Sequence, residues 1–340
     1  GLFNNKIDIV FDYFRSERSN ILMQRKTTPT LSGFRVNQYA NYGIVSNHGV
    51  DMSLNAHHQI GKVKLSARGT FTFARNEIKE YDELPQKYPW MERTGKRINE
   101  NNLYIAERLY TKEDFIINKN SNGIESYTLR PELPQSTLGG LLGPGDIKYK
   151  DVNGDGVIND DDIVPLGYRE VPGLQYGVGL SANWRNWNLS VLFQGTGKCD
   201  FFIGGNGPHA FRSERYGNIL QAMVDGNRWI PKEISGTTAT ENPNADWPLL
   251  TYGNNDNNNR KSTFWLYERK YLRLRNVEVS YDFPQTWTRK FFVSNLRLGF
   301  VGQNLLTWAP FKMWDPEGTR EDGSNYPINK TFSCYLQISF

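Results

Sequence analysis

Strict alternation of apolar and polar side chains marks several stretches of the chain. Between residues 62 and 74 every second residue is apolar or small, and the residues between them are Lys, Ser, Arg or Thr. A β-strand places successive side chains on opposite faces, whereas a helix would scatter both sets around its axis. The pattern therefore predicts β-strands, and no long segment shows a convincing helical period.

The same alternation recurs along the chain and predicts about ten strands in all. The clearest lie at residues 7–13, 20–25, 50–57, 62–74, 175–184, 187–194, 271–283, 295–304 and 331–340. The links at 59–61 and 185–186 are short enough for hairpins, so we expect neighbouring strands to be antiparallel, with 20–25 returning beside 7–13. A change of phase after Leu274 predicts a β-bulge near Arg275 and Asn276.

Strand length and loop length favour a membrane barrel over a soluble fold. Strands of ten to thirteen residues match the tilted spans that cross a bilayer, and aromatic residues lie toward the ends of their apolar faces. The polar stretches at 81–102, 118–145, 195–263 and 309–329 are long for a compact soluble domain, but typical of one side of an outer-membrane barrel. A secreted β-sandwich that binds glycans stays the alternative, because sandwich strands also bury one face.

Composition supports β structure and excludes several classes of protein. The chain has 9 Trp, 18 Tyr and 19 Phe in 340 residues, and it has no apolar run long enough for a transmembrane helix. A net charge of +4 is spread along the chain without a basic block, so nucleic acid is not an expected partner. Cys199 and Cys334 are too few and too far apart for a disulfide scaffold or a CxxC module.

The sequence offers no catalytic signature. It lacks the G-x-S-x-G, H-E-x-x-H and P-loop motifs, and His57 and His58 point to opposite faces of one strand, so they cannot share a metal ion. Glu80 and Asp82 imitate a glycosidase pair, but we expect them to be solvated charges in a loop. We therefore predict that the protein is not an enzyme, and a glycoside hydrolase is the weakest of the alternatives.

Aromatic residues in the long loops have two interpretations. They are Trp229, Trp247, Tyr252, Trp265 and Trp314. Rings of this kind stack on sugars or contact peptide side chains, but they pack equally well against other loops or a covering protein. The sequence does not choose between these roles, although the segment around Trp247 suggests a structural one.

An acidic loop at 145–165 has the spacing of a calcium site. Oxygen-bearing side chains occupy loop positions 1, 3, 5, 9 and 12, the carbonyl of position 7 is available, and Gly156 lies at position 6. The predicted ligands are Asp151, Asn153, Asp155, Val157, Asn159 and Asp162. Hard oxygen donors favour Ca²⁺ over Zn²⁺. No flanking helices are evident, so we expect a structural ion that stiffens an external loop, and an acidic turn without metal is the alternative.

Several ordered motifs resemble those of the SusC/RagA-type TonB-dependent outer-membrane transporters. They are NHGVDMSLN at 47–55, GDIKY at 145–149, the hairpin at 172–194, STFWL at 262–266, YLRLRNVEVSY at 271–281, LRLGF at 296–300, GQNLLTW at 302–308 and MWDPE at 313–317. The resemblance covers essentially the whole of residues 1–340. It implies an antiparallel transmembrane β-barrel of 22 strands around an N-terminal plug, of which this chain is the C-terminal part.

The resemblance also implies a location, partners and a cargo. We expect a bacterial outer-membrane importer, driven by the TonB complex, that takes up oligosaccharides or peptides with a SusD-like surface lipoprotein. No TonB box or plug is recognisable, and ten strands cannot close a wall of 22. The plug and the first barrel strands are therefore expected from an N-terminal segment of the same transporter, and outer-membrane lipid surrounds the wall.

Overall fold

The computed structural model describes residues 2–33, 36, 38–212 and 218–340, and its largest element is one antiparallel sheet. Eight strands follow one another in chain order, and each is hydrogen-bonded to the next. They are β1 (Ile7–Gln24), β2 (Tyr39–Ile60), β3 (Val63–Glu80), β4 (Leu174–Trp184), β5 (Trp187–Gly197), β6 (Tyr271–Asp282), β7 (Asn295–Trp308) and β8 (Thr331–Ser339). The predicted antiparallel meander is confirmed.

The two faces of the sheet differ in chemistry along all eight strands. The register places apolar residues opposite one another from strand to strand, as in the row Ala67, Leu180 and Val191. Much of this apolar face is exposed, and Leu180 remains 48% accessible. Among the described residues the other sheets have only two strands each, so no second sheet of matching size covers it. The β-sandwich alternative is therefore wrong.

Long and short connections lie at opposite ends of the sheet. The β2–β3 and β4–β5 links are tight turns, and Arg185 adopts a φ of 53° in the second of them. The β6–β7 link, at the same end, contains only a short helical segment. All four remaining connections, at 25–38, 81–173, 198–270 and 309–330, leave the other end. This asymmetry is the one expected for an outer-membrane barrel.

Aromatic side chains border the apolar face at both ends. The ring centroids of Trp187 and Tyr281 are 4.9 Å apart at the end with short turns, and those of Phe193 and Trp308 are 6.4 Å apart toward the other end. Six residues separate Trp187 from Phe193, which is about 20 Å along a strand at a rise of about 3.3 Å per residue. Aromatic residues toward both ends of the apolar face are the pattern expected for the wall of an outer-membrane barrel.

The main hydrophobic core lies in the long connections and not under the sheet. Sixteen buried residues between 103 and 311 form one cluster, which includes Leu103, Ile147 and Trp229. We call this part of the molecule, built from 81–173, 198–270 and 309–330, the loop body. Its paired strands are Asn102–Leu103 with Val164–Pro165, Ala106–Leu109 with Ile147–Tyr149, Phe115–Lys119 with Glu125–Leu129, Gln135–Ser136 with Val157–Ile158, and Asp200–Phe202 with Leu266–Glu268.

Helices are short throughout the described part of the chain. The α-helices are α1 (Gln221–Asp225), α2 (Lys232–Ser235) and α3 (Gln285–Thr288), and 3-10 turns lie at Thr30–Ser32, Pro89–Met91, Lys112–Asp114, Asp160–Asp162, Thr238–Thr240, Thr263–Trp265 and Arg289–Phe291. No helix in the described ranges has the length and apolar character needed to span a membrane.

Two expectations about the strands need correction, and one is confirmed. Residues 20–25 do not return beside 7–13, because β1 runs without a break from Ile7 to Gln24 and pairs with β2 along its length. The main sheet has eight strands rather than about ten. The bulge is where the phase change placed it, since Arg275 is skipped in the pairing of β6 with both neighbours.

Candidate functional site

The acidic loop folds back on its own backbone in a series of tight turns. The two carboxylate oxygens of Asp151 accept hydrogen bonds from the amides of Gly154 (2.7 Å) and Gly156 (2.8 Å). Asn153 accepts from the amide of Asp155 at 2.9 Å. Gly154 and Gly156 have φ values of 75° and 81°, which side chains with a Cβ rarely adopt. The two glycines therefore allow a turn that brings the polar side chains inward.

Asp162 closes this loop from the far end. It is fully buried, and its carboxylate accepts from the amides of Val152 (2.8 Å) and Asn159 (2.9 Å). Asp162, at loop position 12, thus forms hydrogen bonds both with the first turn of the acidic loop and with Asn159, which precedes the 3-10 turn Asp160–Asp162. A charged group that is buried needs such partners, because burial without them costs several kcal/mol.

The predicted calcium donors are brought to one loop, but their carboxylates do not form a cluster. Within the described residues, no three side chains of His, Cys, Asp or Glu are close enough to hold a metal ion. Carboxylates supply only half of the predicted donors, and the rest are the amide oxygens of Asn153 and Asn159 and the carbonyl of Val157. The turn geometry and the donor chemistry fit a calcium loop, while the carboxylates are bonded to backbone amides.

The acidic loop is anchored to the rest of the loop body at several points, three of which involve side chains of different character. Ile158 is buried in the hydrophobic cluster. The Tyr104 hydroxyl donates to Asp160 at 2.8 Å, and Lys87 forms an ion pair with Asp161 at 2.5 Å. Burial, followed by the bond to Asp160, raises the pKa of Tyr104 far above its usual range, so this hydroxyl stays protonated and donates. Stiffening the acidic loop would therefore stiffen the structure around it.

Three of the five loop aromatics belong to the core. Trp229, Trp247 and Trp265 are between 2% and 5% exposed and lie in the hydrophobic cluster. Trp314 packs against its edge, whereas Tyr252 is 74% exposed. Packing is therefore the role of the first three, and the structural role suggested for Trp247 is supported. Among these five residues, only Tyr252 presents most of its ring to a ligand.

The run of asparagines at 254–259 is partly built into the loop body, since Asn257 and Asn258 are buried while Asn254 and Asp256 are exposed. The Asp146 carboxylate accepts from the side-chain amides of Asn255 (2.9 Å) and Asn258 (2.8 Å). Asn257 donates to the carbonyl of Ile147 at 2.8 Å. Side-chain amides can satisfy a neighbouring backbone that has no strand partner, and here they do so beside the 145–149 motif. The asparagines thus attach this segment to the strand that leads into the acidic loop.

The MWDPE motif at 313–317 pairs with two arginines of β6, of which Arg273 is buried and Arg275 is partly exposed. Arg273 is 1% exposed and donates to both oxygens of Asp315 at 2.7 and 2.8 Å. Arg275, the bulged residue, lies 3.3 Å from Glu317, which also accepts from the Tyr271 hydroxyl. Bidentate arginine pairs are both strong and directional. The motif therefore ties the β7–β8 connection to the wall.

Asp82 also departs from expectation, because it is buried rather than solvated. It accepts from the amide of Lys26 (2.7 Å), the hydroxyl of Thr27 (2.7 Å) and the guanidinium of Arg25 (2.9 Å). Burial alone would raise the pKa of Asp82, but these hydrogen bonds lower it to about 2. Asp82 thus attaches the β1–β2 connection to the loop body, and it forms no catalytic pair with Glu80.

The polar face of the sheet is lined by hydroxyl groups and paired charges. The hydroxyls of Ser66 and Ser181 are bonded across two strands. Near the end with short turns, Arg297 and Asp282 form an ion pair at 2.6 Å. A face of this kind suits contact with water or with a polar solute and not with lipid. The arrangement can conduct or bind polar molecules, and it brings together no nucleophile with a base.

Comparison with known proteins gives consistent sequence matches. TonB-dependent receptor P26 of Formosa agariphila is 24% identical over an alignment of 353 residues that covers all of this chain and 33% of that protein. TonB-dependent receptor P3 of the same organism is 24% identical over 368 residues, again with 33% coverage. The chain spans about a third of the length of these curated relatives. No protein-family model matches it.

Solved structures give the same result for the fold. The RagAB peptide importer in its closed-closed state matches with a TM-score of 0.69 at 20% identity, over 99% of this chain and 34% of that one. The RagAB peptide transporter matches with a TM-score of 0.67 at 21% identity and equal coverage. The relatives are receptors and transporters, and the resemblance found in the sequence is confirmed. Over its full length the chain is thus similar to about a third of the TonB-dependent receptors it matches, and it shares its fold with that part of the solved RagAB transporter.

Proposed function

We propose that the chain forms the C-terminal part of the wall of a TonB-dependent importer. The observation that carries the proposal is a single sheet with an exposed apolar face, a polar opposite face and all long connections at one end. Contact with lipid accounts for the apolar face, and a path for polar solutes accounts for the opposite, polar face. Transport through such a wall requires no covalent step, so we expect no enzymatic activity.

The sheet needs further strands to complete the wall. The outer edges of β1 and β8 pair with no strand among the described residues. Unpaired backbone groups in lipid cost several kcal/mol each, which excludes an open edge in the bilayer. We expect the remaining barrel strands and the plug to come from an N-terminal segment of the same transporter, which would also contact the TonB complex.

We infer the transported solute from the similar solved transporter, and the way in which the solute is captured from the position of the loop body. RagAB, the similar solved transporter, is described as a peptide importer, and peptides or oligosaccharides are the solutes we propose here. The loop body is a folded surface at the end of the wall with long connections. A SusD-like lipoprotein that covers this surface would deliver solute to the polar face.

Extraction and electrophoresis test the membrane assignment. We expect the protein to need detergent for release from cells and to migrate differently on a gel before and after boiling, because a closed barrel resists unfolding in detergent. Release into buffer without detergent, together with identical mobility before and after boiling, would remove the proposal. Uptake of labelled peptides and labelled oligosaccharides by cells with and without the transporter then identifies the cargo.

We also propose that the acidic loop binds one structural Ca²⁺. The ligands would be the side chains of Asp151, Asn153, Asp155, Asn159 and Asp162 and the carbonyl of Val157. The ion would supply charge that draws the carboxylates together, and the two glycines in left-handed conformation support the turn this requires. Its effect would be mechanical, since the loop is anchored in the loop body through Ile158.

Limited proteolysis tests the calcium proposal. We expect Ca²⁺ to slow trypsin cleavage after Lys150 relative to a chelator, and Asp151→Ala or Asp155→Ala to abolish the difference. Asp161→Asn is the matched control, because this neighbouring carboxylate is not a predicted ligand: losing its pair with Lys87 changes the anchoring of the loop, but the difference between Ca²⁺ and chelator should persist. Equal digestion with and without chelator in the unmodified protein would refute a bound ion.

A further inference from the structure

A row of basic side chains borders the apolar face at its end with long connections. The last apolar row across β1, β2 and β3 contains Tyr13, Val50 and Phe73. The next row on the same face, two residues further, contains Arg15, His48 and Arg75. Two residues are about 7 Å along a strand, which is the step from the acyl chains to the headgroups.

The loop body adds three more cations at this border. Arg97, Arg169 and Lys198 line one shallow pocket together with Phe73 and Arg75. The Lys198 ammonium lies 4.5 Å from the centre of the Phe73 ring. Residues from β3, from two parts of the 81–173 connection and from the start of the 198–270 connection therefore bring four positive charges to one place.

These charges lack acidic partners. In the described part of the chain, no carboxylate lies within 4.0 Å of the charged groups of Arg75, Arg97, Arg169 and Lys198. The nearby acids are engaged elsewhere: Glu77 pairs with Lys79 at 2.7 Å, Glu170 pairs with Arg269 at 3.8 Å, and the Asp200 carboxylate accepts from the amide of Tyr168 at 2.6 Å.

Like charges at this density repel one another. Burial, and then the adjacent charge of Arg97, lowers the pKa of Arg169, whose guanidinium donates to the carbonyl of Ile98 at 3.4 Å. A bound anion would relieve this repulsion. Guanidinium groups bind phosphate oxygens in pairs, and lysine adds a point charge, so the pocket has the chemistry of a phosphate site.

We propose that this pocket binds the phosphate group of an anionic lipid in the leaflet that faces the long connections. The inference rests on the proposed membrane-spanning wall, which puts the last apolar row in acyl chains and the pocket at headgroup depth. The lipid chains would then lie along the apolar face beside Phe73, and the headgroup would hold the loop body against the wall.

Lipid binding to the complete barrel in detergent, followed by native mass spectrometry, tests the proposal. The probes are phosphatidic acid and phosphatidylcholine with identical chains. We expect the phosphatidic acid to bind at least about tenfold more tightly, and the triple variant Arg75→Gln, Arg169→Gln, Lys198→Gln to lose about tenfold or more of that preference. The matched control carries Lys62→Gln, Lys64→Gln and Arg185→Gln at the end with short turns, and it should keep the preference.

Each other outcome overturns a defined part of the proposal. Equal affinity for the two lipids, or equal loss in the control, would show that the pocket does not select phosphate. Displacement of phosphatidic acid by millimolar inorganic phosphate would assign the pocket to free phosphate instead of lipid. A protein that binds neither lipid and shows no heat-dependent gel shift would refute the membrane wall itself. The triple variant must show the same gel shift as the unmodified protein, because a misfolded variant would lose lipid binding for another reason.

Discussion

The ion pair between Arg273 and Asp315 gives a quantitative test of how the loops are attached to the wall. Asp315→Ala leaves a guanidinium that is 1% exposed with Glu317 at 3.8 Å as its remaining acidic partner. Breaking a buried pair by removing one partner costs about 3 to 5 kcal/mol. Asp315 is itself partly exposed and Glu317 persists, so we expect about 3 kcal/mol for the β7–β8 connection.

This loss should appear as faster local opening. At about 1.4 kcal/mol per factor of ten, a change of about 3 kcal/mol raises the open population about 150-fold. Proteolysis tracks that population when opening and closing are fast. We therefore expect trypsin to cleave after Arg320 about a hundredfold faster in Asp315→Ala than in the unmodified protein, with both in the same detergent.

Two further variants make the reasoning refutable. Asp322→Asn removes a carboxylate of the same connection that accepts only from Ser324, so it should change the cleavage rate little. Adding Arg273→Met to Asp315→Ala removes the unpaired charge and should recover much of the protection. A rate for Asp315→Ala within threefold of the unmodified protein would show that the pair does not hold this connection.

Other predictions concern the loop body and the sheet. Asp82→Asn should speed proteolysis of the β1–β2 connection at neutral pH; in the unmodified protein the attachment should weaken only as the pH falls below about 4 toward 2, where Asp82 takes up its proton. Burial lowers the pKa of His209 to about 4, whereas in the unfolded chain the pKa is about 6.5. Between these two pH values the unfolded state binds more protons than the folded state, so the free energy of unfolding should decrease as the pH is lowered from about 6.5 to about 4. The centres of the His209 and Trp265 rings are 4.9 Å apart, so Trp265 fluorescence should report this loss of stability. In His209→Phe the fluorescence should change much less over the same pH range. Gly195→Val should reduce the heat-shifted gel species, since a Cβ there would clash with the Tyr176 ring and with the backbone carbonyl of Tyr271.

Each of these three predictions, for Asp82, His209 and Gly195, has a result that would contradict it. Unchanged cleavage in Asp82→Asn would show that its hydrogen bonds do not hold the connection. The same fluorescence titration in His209→Phe and the unmodified protein would assign the acid sensitivity to another group. A full gel shift in Gly195→Val would show that the tyrosine moves aside at little cost.

Alternation predicted the wall well because both faces of each strand have a fixed environment. At 62–74 and 271–283 the lipid face and the polar face select different residues, so even the bulge at Arg275 left a signal. The pattern failed in β1 after Arg15, where Ser16 to Asn20 are polar on both faces. A strand that extends beyond the bilayer has polar surroundings on both sides, so it carries no alternation to detect.

The loop body was beyond sequence reasoning for a different reason. The acidic loop was recognisable because its donors are close in sequence and their spacing is set by one turn. The burial of Trp265 and the role of Asn257 depend on residues distant in the sequence, as in the contact of Trp265 with His209 and the bond from Asn257 to Ile147. Such contacts leave no local periodicity, so polar and aromatic loops of this kind look solvated until they are folded.

The wall and the loop body therefore depend on different forces. The sheet exposes its apolar face and gains its burial from lipid, whereas the loop body has its own hydrophobic cluster. The ion pair of Asp315 with Arg273 joins the loop body to the wall, and that of Asp82 with Arg25 joins it to the β1–β2 connection. Acid weakens the hydrogen bonds of Asp82 and charges the buried His209, but leaves lipid contact intact. Lowering the pH should consequently release the loops from a wall that still resists unfolding in detergent, and simultaneous loss of both would show that the two parts form one cooperative unit.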